Sequence, residues 1–243
     1  MYLATLITVI FIGLLYKFCM SQKTQVFGVF PWHAKTDKKV IALTFDDGPN
    51  QPYTMQIVEY LNSKNIKATF FQVGSCVQKY PDVTKKIYTS GHIIGNHSLS
   101  HAFHKYITQP TFVNEIVATQ AIIKNVIGKE PALFRPPWLF RTPLIFKTLN
   151  TLGLQPVGGV FCHPLEVFHV QGKKIAKSVL ANARPGGIII FHDGYNAKGS
   201  KRSDTVMAVK IVIESLLHQG YSFTTVDKLL GVPAYKKVQP SNK

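Results

Sequence analysis

A parallel α/β sheet rolled into a barrel is the architecture this sequence predicts, and three observations predict it. Short apolar runs alternate with stretches of helical period along nearly the whole chain. The polar residues able to do chemistry fall just after those runs, where such barrels carry their working groups. And 243 residues supply one well-filled domain of that size without requiring a second.

The elements follow in order. Residues 40–45, ending Leu43-Thr44-Phe45, read as a buried strand. Residues 53–63 place Ile57, Tyr60 and Leu61 on one helical face, and residues 67–73 form a second, aromatic-rich strand. Pro81 opens a helix to about residue 89, and a short strand over 92–94 follows. Phe112, Ile116, Ile123 and Ile127 fall at near-helical spacing in a long helix. A short strand at Leu133-Phe134, a helix over 144–152 led in by Pro143, and a strand over 155–161 continue the alternation. A helix over 173–183 and a strong strand over 187–191 come next. The last long helix, 203–219, stripes Val206, Val209, Ile213 and Leu216, and a strand at 221–224 with a turn at 226–230 closes the domain. Six or seven β-then-α units imply a parallel sheet, most simply closed as a barrel.

Ahead of the domain, residues 1–20 are almost continuously apolar and approach the roughly 20 residues that a bilayer crossing requires. No charged leader and small-residue cleavage site stands out, so an uncleaved hydrophobic anchor is favoured over a removed signal. Lys17, Lys23, Lys35, Lys38 and Lys39 follow the run, and the positive-inside tendency would hold them in the cytoplasm. The function read below favours an extracytoplasmic domain in a bacterial cell envelope, and the sequence leaves the cytoplasmic face open. Residues 21–38 read as a linker, 39–232 as the domain and 233–243 as a basic tail.

An apolar share of 46% excludes a disordered chain. The net charge of +16 suits anionic partners such as phospholipid headgroups or envelope phosphates. The lysines are dispersed and no nucleic-acid motif is visible, so a nucleic acid is not expected as partner. Cys19, Cys76 and Cys162 lack metal-type spacing and read as separate thiols.

Asp46-Asp47, closing the first strand before Gly48-Pro49, sets two like charges side by side, which is costly to bury without a cation or hydrogen bonds. Downstream, Asn96-His97-Ser98-Leu99-Ser100-His101 offers two imidazoles four residues apart. Either motif alone has an ordinary reading, a capped turn or a solvated pair. Together, one Asp and two His make three ligands with a fourth position free, the layout of a catalytic zinc site.

Four motifs in order, Thr44-Phe45-Asp46-Asp47-Gly48-Pro49, Gly95-Asn96-His97-Ser98 with His101, Phe134-Arg135-Pro136-Pro137-Trp138, and Ile190-Phe191-His192-Asp193-Gly194, closely resemble the polysaccharide deacetylases with a NodB-homology domain. The resemblance covers about residues 39–230 and implies a distorted (β/α) barrel of about seven units that hydrolyses N-acetyl groups with a divalent metal, zinc before cobalt. It implies Asp47, His97 and His101 as metal ligands, and Asp46 as general base held by Arg135. His192 would be the acid that protonates the departing amine, and Pro137, Trp138 and Phe191 would contact substrate. Asp193 reads as a supporting or turn residue.

Two positions depart from the family pattern. Leu139 stands where many relatives have Gly, and the family's Asp-Trp pair, which supports the catalytic histidine, is missing from residues 158–166. Glu166 is the acid available there, with Phe161 or Phe168 as an apolar wall. The expected activity is deacetylation of N-acetylglucosamine-type residues of an envelope glycan, peptidoglycan first, by a membrane-tethered monomer. The alternatives are a lipid-linked or lipopolysaccharide sugar as substrate, and a catalytically dead glycan-binding module.

Overall fold

The computed structural model describes residues 2–168, 170–196 and 199–237. One parallel sheet organises them. Its core strands are β1 (Val40–Asp46), β2 (Thr69–Gln72), β3 (Ile93–Asn96) and β4 (Leu133–Phe134), with β5 (Gln155–Pro156), β6 (Val160–Phe161), β7 (Ile188–His192) and β8 (Ser222–Thr224) following. They lie in the order β5-β4-β3-β2-β1-β7-β6, with β8 paired to the first half of β1.

The sheet must curl. Its edge strands β5 and β6 are consecutive in sequence, and the step from Pro156 to Val160 reaches at most about 14 Å. In a flat sheet the six inter-strand steps would hold those edges roughly 29 Å apart. The expected single strand over 155–161 is therefore two strands at opposite edges, because Val157-Gly158-Gly159 crosses the gap between them. Gly159 is required there, since a Cβ would meet Ile190 Cγ1 at 2.7 Å.

Helices α2 (Tyr53–Ser63), α3 (Gly74–Lys79), α4 (Pro81–Thr89), α5 (Gln109–Ile127) and α6 (Pro143–Thr151) lie on the chain's first half, with α7 (Gly172–Asn182), α8 (Ser203–His218) and α9 (Val226–Leu230) on the second. The six-residue α3 has too short a pattern to be read from sequence. Strand alternation sorts the two layers: Leu43, Phe45, Phe70 and Phe191 face the helices, while Ala42, Thr44 and Asp46 face the barrel interior.

The stretch expected as a linker contributes to the core. Phe30 is fully buried against Leu139, Phe146 and Ile190, and its ring approaches Gly158 so closely that a Cβ there would meet Cε1 at 2.9 Å. The Gln25 side chain brackets it, accepting from the Phe30 N–H at 2.5 Å and donating to its carbonyl at 2.8 Å. Gly158 N–H donates to Pro31 O, so this segment fills the gap that Val157-Gly158-Gly159 crosses.

The apolar start of the chain is the helix α1 (Tyr2–Cys19), and its large apolar side chains from Leu6 to Phe18 are exposed. Among the described residues no helix is long and apolar enough to cross a membrane. The first residue of the expected anchor and residues 238–243 of the expected tail lie outside the described residues; Ala132 N–H donates to Ala234 O and Lys236 N–H to Glu130 O.

Candidate active site

Asp46 and Asp47 leave the barrel in different directions because β1 ends between them. Asp46 continues the inward face that Thr44 began, and Arg135, entering from the end of β4, donates through Nη1 to Asp46 Oδ1 and to Thr44 Oγ1, both at 2.7 Å. The remaining guanidinium donors go to carbonyls of the gap-crossing residues, Val157 O at 3.3 Å and Gly158 O at 2.7 Å. The Phe71 ring backs the guanidinium at 4.1 Å, and Gly95 leaves room for that ring. A fully buried arginine with all sides occupied has one orientation, and it fixes that of Asp46.

Asp47 takes φ 73, a left-handed value that costs a non-glycine residue energy and turns its carboxylate toward the loop after β3. Asn196 N–H donates to Oδ2 at 3.1 Å. Oδ1 then faces His97 Nε2 at 3.3 Å and His101 Nε2 at 3.2 Å. The two histidines are held by their own loop: Asn96 Oδ1 accepts from Ser98 N–H, and Glu115 Oε2 on α5 accepts from Leu99 N–H, Ser100 N–H and the Ser100 hydroxyl.

These three side chains fit a cation. His97 Nδ1 lies 2.7 Å from Arg135 O, an atom that can only accept, so Nδ1 carries a proton and in the neutral ring Nε2 presents a lone pair. That lone pair faces a carboxylate oxygen with no hydrogen-bond donor of its own, although both are buried. Two facing acceptors repel unless a positive ion sits between them. Ligand bonds near 2.1 Å at a tetrahedral angle separate ligand atoms by about 3.4 Å, close to the spacings here. Burial, only partly opposed by Asp47, takes the His101 pKa down to about 4, which leaves its imidazole neutral and able to ligate. Burial alone would raise the Asp47 pKa, but His101, His97 and His192 together hold it well below the usual carboxylate range. Among the described residues this is the group of Asp and His atoms close enough to hold a metal.

His192, closing β7, lies beside Asp46 in register. Its Nδ1–H donates to Glu166 Oε2 at 2.6 Å, while Glu166 Oε1 accepts from the Thr205 hydroxyl at 2.6 Å and the His192 N–H at 3.3 Å. Burial would lower the His192 pKa, but Glu166 outweighs it and raises the pKa to about 9, so the ring is an imidazolium at neutral pH. Glu166 thus stands where the family's missing acid was sought, and Phe161 lies parallel to the His192 ring at 6.1 Å.

Asp46, Asp47, His97, His101, Trp138 and His192 line one cavity of about 290 Å³, as do Glu166, Phe161 and Phe168. Trp138 takes φ 55, packs edge-on against His101 at 4.3 Å and rests on Phe103 and Tyr106. Leu139 also lines the cavity, the bulkier wall its identity predicts.

Three expected residues lie elsewhere. Phe191 is a correction: successive strand residues face opposite ways, so placing His192 at the mouth turns Phe191 into the helical layer, fully buried and stacked on Phe45 at 5.8 Å. Pro137 is buried at the start of the turn that presents Trp138 and does not line the cavity. Asp193 turns away from the cavity, accepting from the Thr54 hydroxyl at 2.5 Å, and burial pushes its carboxyl up to about 7. Residues not anticipated from sequence include Glu115, Thr205 and Asn196; only Glu115 carried a signal, as an acid on the buried stripe of a helix.

The comparisons with known proteins agree with this geometry. The polysaccharide deacetylase sequence profile matches residues 33–157. A Bacillus cereus peptidoglycan-N-acetylglucosamine deacetylase is 35% identical over 212 residues, covering 87% of this chain and 97% of that protein. A solved peptidoglycan N-acetylglucosamine deacetylase, in complex with 4-naphthalen-1-yl-N-oxidanyl-benzamide, superposes with a TM-score of 0.77 at 29% identity over 84% of this chain and 94% of that one. A family 4 acetyl xylan esterase from Clostridium thermocellum, in complex with a cobalt ion, gives a TM-score of 0.72 at 33% identity over 81% and 94%. With the motifs at the strand ends of a shared barrel and the alignments running nearly its full length, this chain belongs to the polysaccharide deacetylase family.

Proposed function

We propose that this enzyme removes N-acetyl groups from N-acetylglucosamine-type residues of peptidoglycan, using a divalent cation held by Asp47, His97 and His101. The observation that carries the reading is the convergence of an arginine-held carboxylate, a cation-shaped Asp-His-His group and a protonated histidine on one cavity. The names of its relatives support the substrate. A mixed oxygen and nitrogen ligand set favours zinc, with cobalt as the substitute. Asp47, His97 and His101 would hold that ion, which would supply polarisation of the acetamide carbonyl and a water acidic enough to attack at neutral pH.

The chain's own residues supply the rest. Asp46 takes the proton of the attacking water, and Arg135 keeps its free oxygen aimed into the cavity. His192 gives its Nε2 proton to the amine nitrogen as the C–N bond breaks, and Glu166 keeps that proton in place beforehand. Trp138 offers a flat apolar face to a pyranose ring, and its backbone N–H would stabilise the developing oxyanion. The enzyme works as a monomer at the cell envelope, with α1 as its attachment to a membrane and the domain outside the cytoplasm.

Stripping the metal with a chelator should abolish acetate release from N-acetylchitooligomers and peptidoglycan, and Zn²⁺ or Co²⁺ should restore it. Metal binding that survives replacement of both His97 and His101 would overturn the assignment.

A further inference from the structure

The helix α1 is not joined to the domain by slack chain. Its last carbonyl, Cys19 O, accepts from Arg141 N–H at 2.8 Å, and Arg141 Nη2 donates to Ser21 O. Arg141 Nη1 donates to Leu139 O at 3.0 Å, and the guanidinium lies 4.2 Å over the Phe30 ring. Arg141 is 1% exposed, so the clamp is built into the core. Leu139, two residues away, lines the cavity. Two residues span at most about 7 Å, so the end of α1 lies roughly 10 Å from the backbone of the cavity wall.

On the other side of the clamp is a helix whose large apolar residues the described residues leave exposed. From Leu6 to Tyr16 its large apolar residues are 45–62% exposed at consecutive positions, which no single protein face could shield. Lysines at 17, 23, 35 and 38 follow it in a chain of net charge +16, complementary to anionic headgroups. Away from α1, three of the exposed apolar residues, Phe168, Leu165 and Phe103, lie in or beside the cavity wall. Phe168 lines the cavity, Leu165 is in the same loop, Phe103 packs on Trp138, and Val29 adjoins the clamped Phe30.

We propose that Arg141 couples α1 to the cavity wall so that the mouth of the active site is held at the surface of an anionic lipid bilayer, and that the glycan acted on lies within reach of that surface. This rests on the deacetylase reading for its substrate, but the placement itself is separate from it. A site held about 10 Å from the end of a lipid-buried helix meets strands close to the membrane, not those far out in a thick polymer.

The test uses the full chain carrying Cys19→Ser and an environment-sensitive label at Leu165→Cys, bound to phosphatidylcholine–phosphatidylglycerol vesicles containing brominated lipid. The label at 165 should be quenched, and one at Lys129→Cys, beyond the opposite end of α5, should not. Inserting a flexible Gly-Ser segment between Phe18 and Cys19, on the helix side of both clamped carbonyls, should abolish most of the quenching while the protein still sediments with vesicles. Arg141→Ala should do the same, and the insertion carries the test if that variant does not fold. No binding to vesicles, no quenching at 165 in bound protein, equal quenching at both labels, or quenching unchanged by the insertion would each overturn the placement. None of these results touches acetate release from soluble oligomers, so the two readings fail separately.

Discussion

Glu166 Oε2 and His192 Nδ1 lie 2.6 Å apart, the acid 2% exposed and the pair sealed by the Thr205 hydroxyl. Burial raises the Glu166 pKa by itself, but His192, Thr205 and Arg202 outweigh that and hold it down, while Glu166 holds the imidazole's proton on.

The first prediction is a displaced pH limb. His192 works as an acid only while protonated, so activity should fall as pH rises through about 9. In Glu166→Gln the largest raising charge is gone and burial remains, opposed only by Asp47 and Asp46, so the limb moves down toward the ordinary histidine value. At pH 8 the loss in kcat/KM should be about 30-fold, the fall in protonated fraction between a pKa of about 9 and one of about 6.5. A kcat/KM profile whose alkaline limb does not move would remove Glu166 from this role.

Asp46→Asn should separate chemistry from metal binding. The amide can still accept from Arg135 but takes no proton, so acetate release should drop by about 10²–10⁴-fold. Metal content after dialysis should be unchanged, whereas Asp47→Ala, whose Oδ1 faces both imidazoles, should lose it.

Glu115→Ala should weaken the metal site without touching it. The substitution strands the Leu99 and Ser100 amides and frees the loop carrying His97 and His101. Outer partners of this kind are worth about 10–100-fold in metal affinity. Competition against a chromogenic chelator reads that loss directly.

Phe30→Ala tests whether residues 25–34 belong to the domain. Removing a fully buried aromatic typically costs about 3–5 kcal/mol, which thermal unfolding would register as a large drop in Tm. A Tm within a degree or so of the parent would mean the segment is only laid on the surface.

Gly194→Ala should damage fold and site together. A Cβ at 194 would meet Asp47 O at 2.2 Å, a backbone atom that cannot swing aside. Both lower Tm and lost metal binding are expected.

What could be read in the sequence was what local pattern encodes. Asp46, Asp47, His97, His101, Arg135 and His192 stood out because each follows an apolar run, and the fold gathers strand ends. The error at Phe191 came from treating a motif as a block, where the two-residue strand period sends neighbours to opposite faces. The break in 155–161 was hidden because Gly158-Gly159 sits inside an apolar run, although paired glycines signal close backbone approach. Phe30 has no periodic context at all, and its burial depends on a gap that exists only once the sheet has curled. Glu166 was nameable as an acid near the right place, but its partner is 26 residues away and only the tertiary fold brings them together.

The crossing at Val157-Gly158-Gly159 makes catalytic competence depend on distant parts of the chain being in place together. Arg135 spends two of its donors on carbonyls of that crossing and a third on Asp46, 89 positions earlier in the chain. Thr44, on the same strand as Asp46, donates to Ile189 O across a separation of 145. Until both flanks of the polypeptide are in place, the aspartate has no fixed companion, so a half-assembled chain lacks the held base that amide hydrolysis needs.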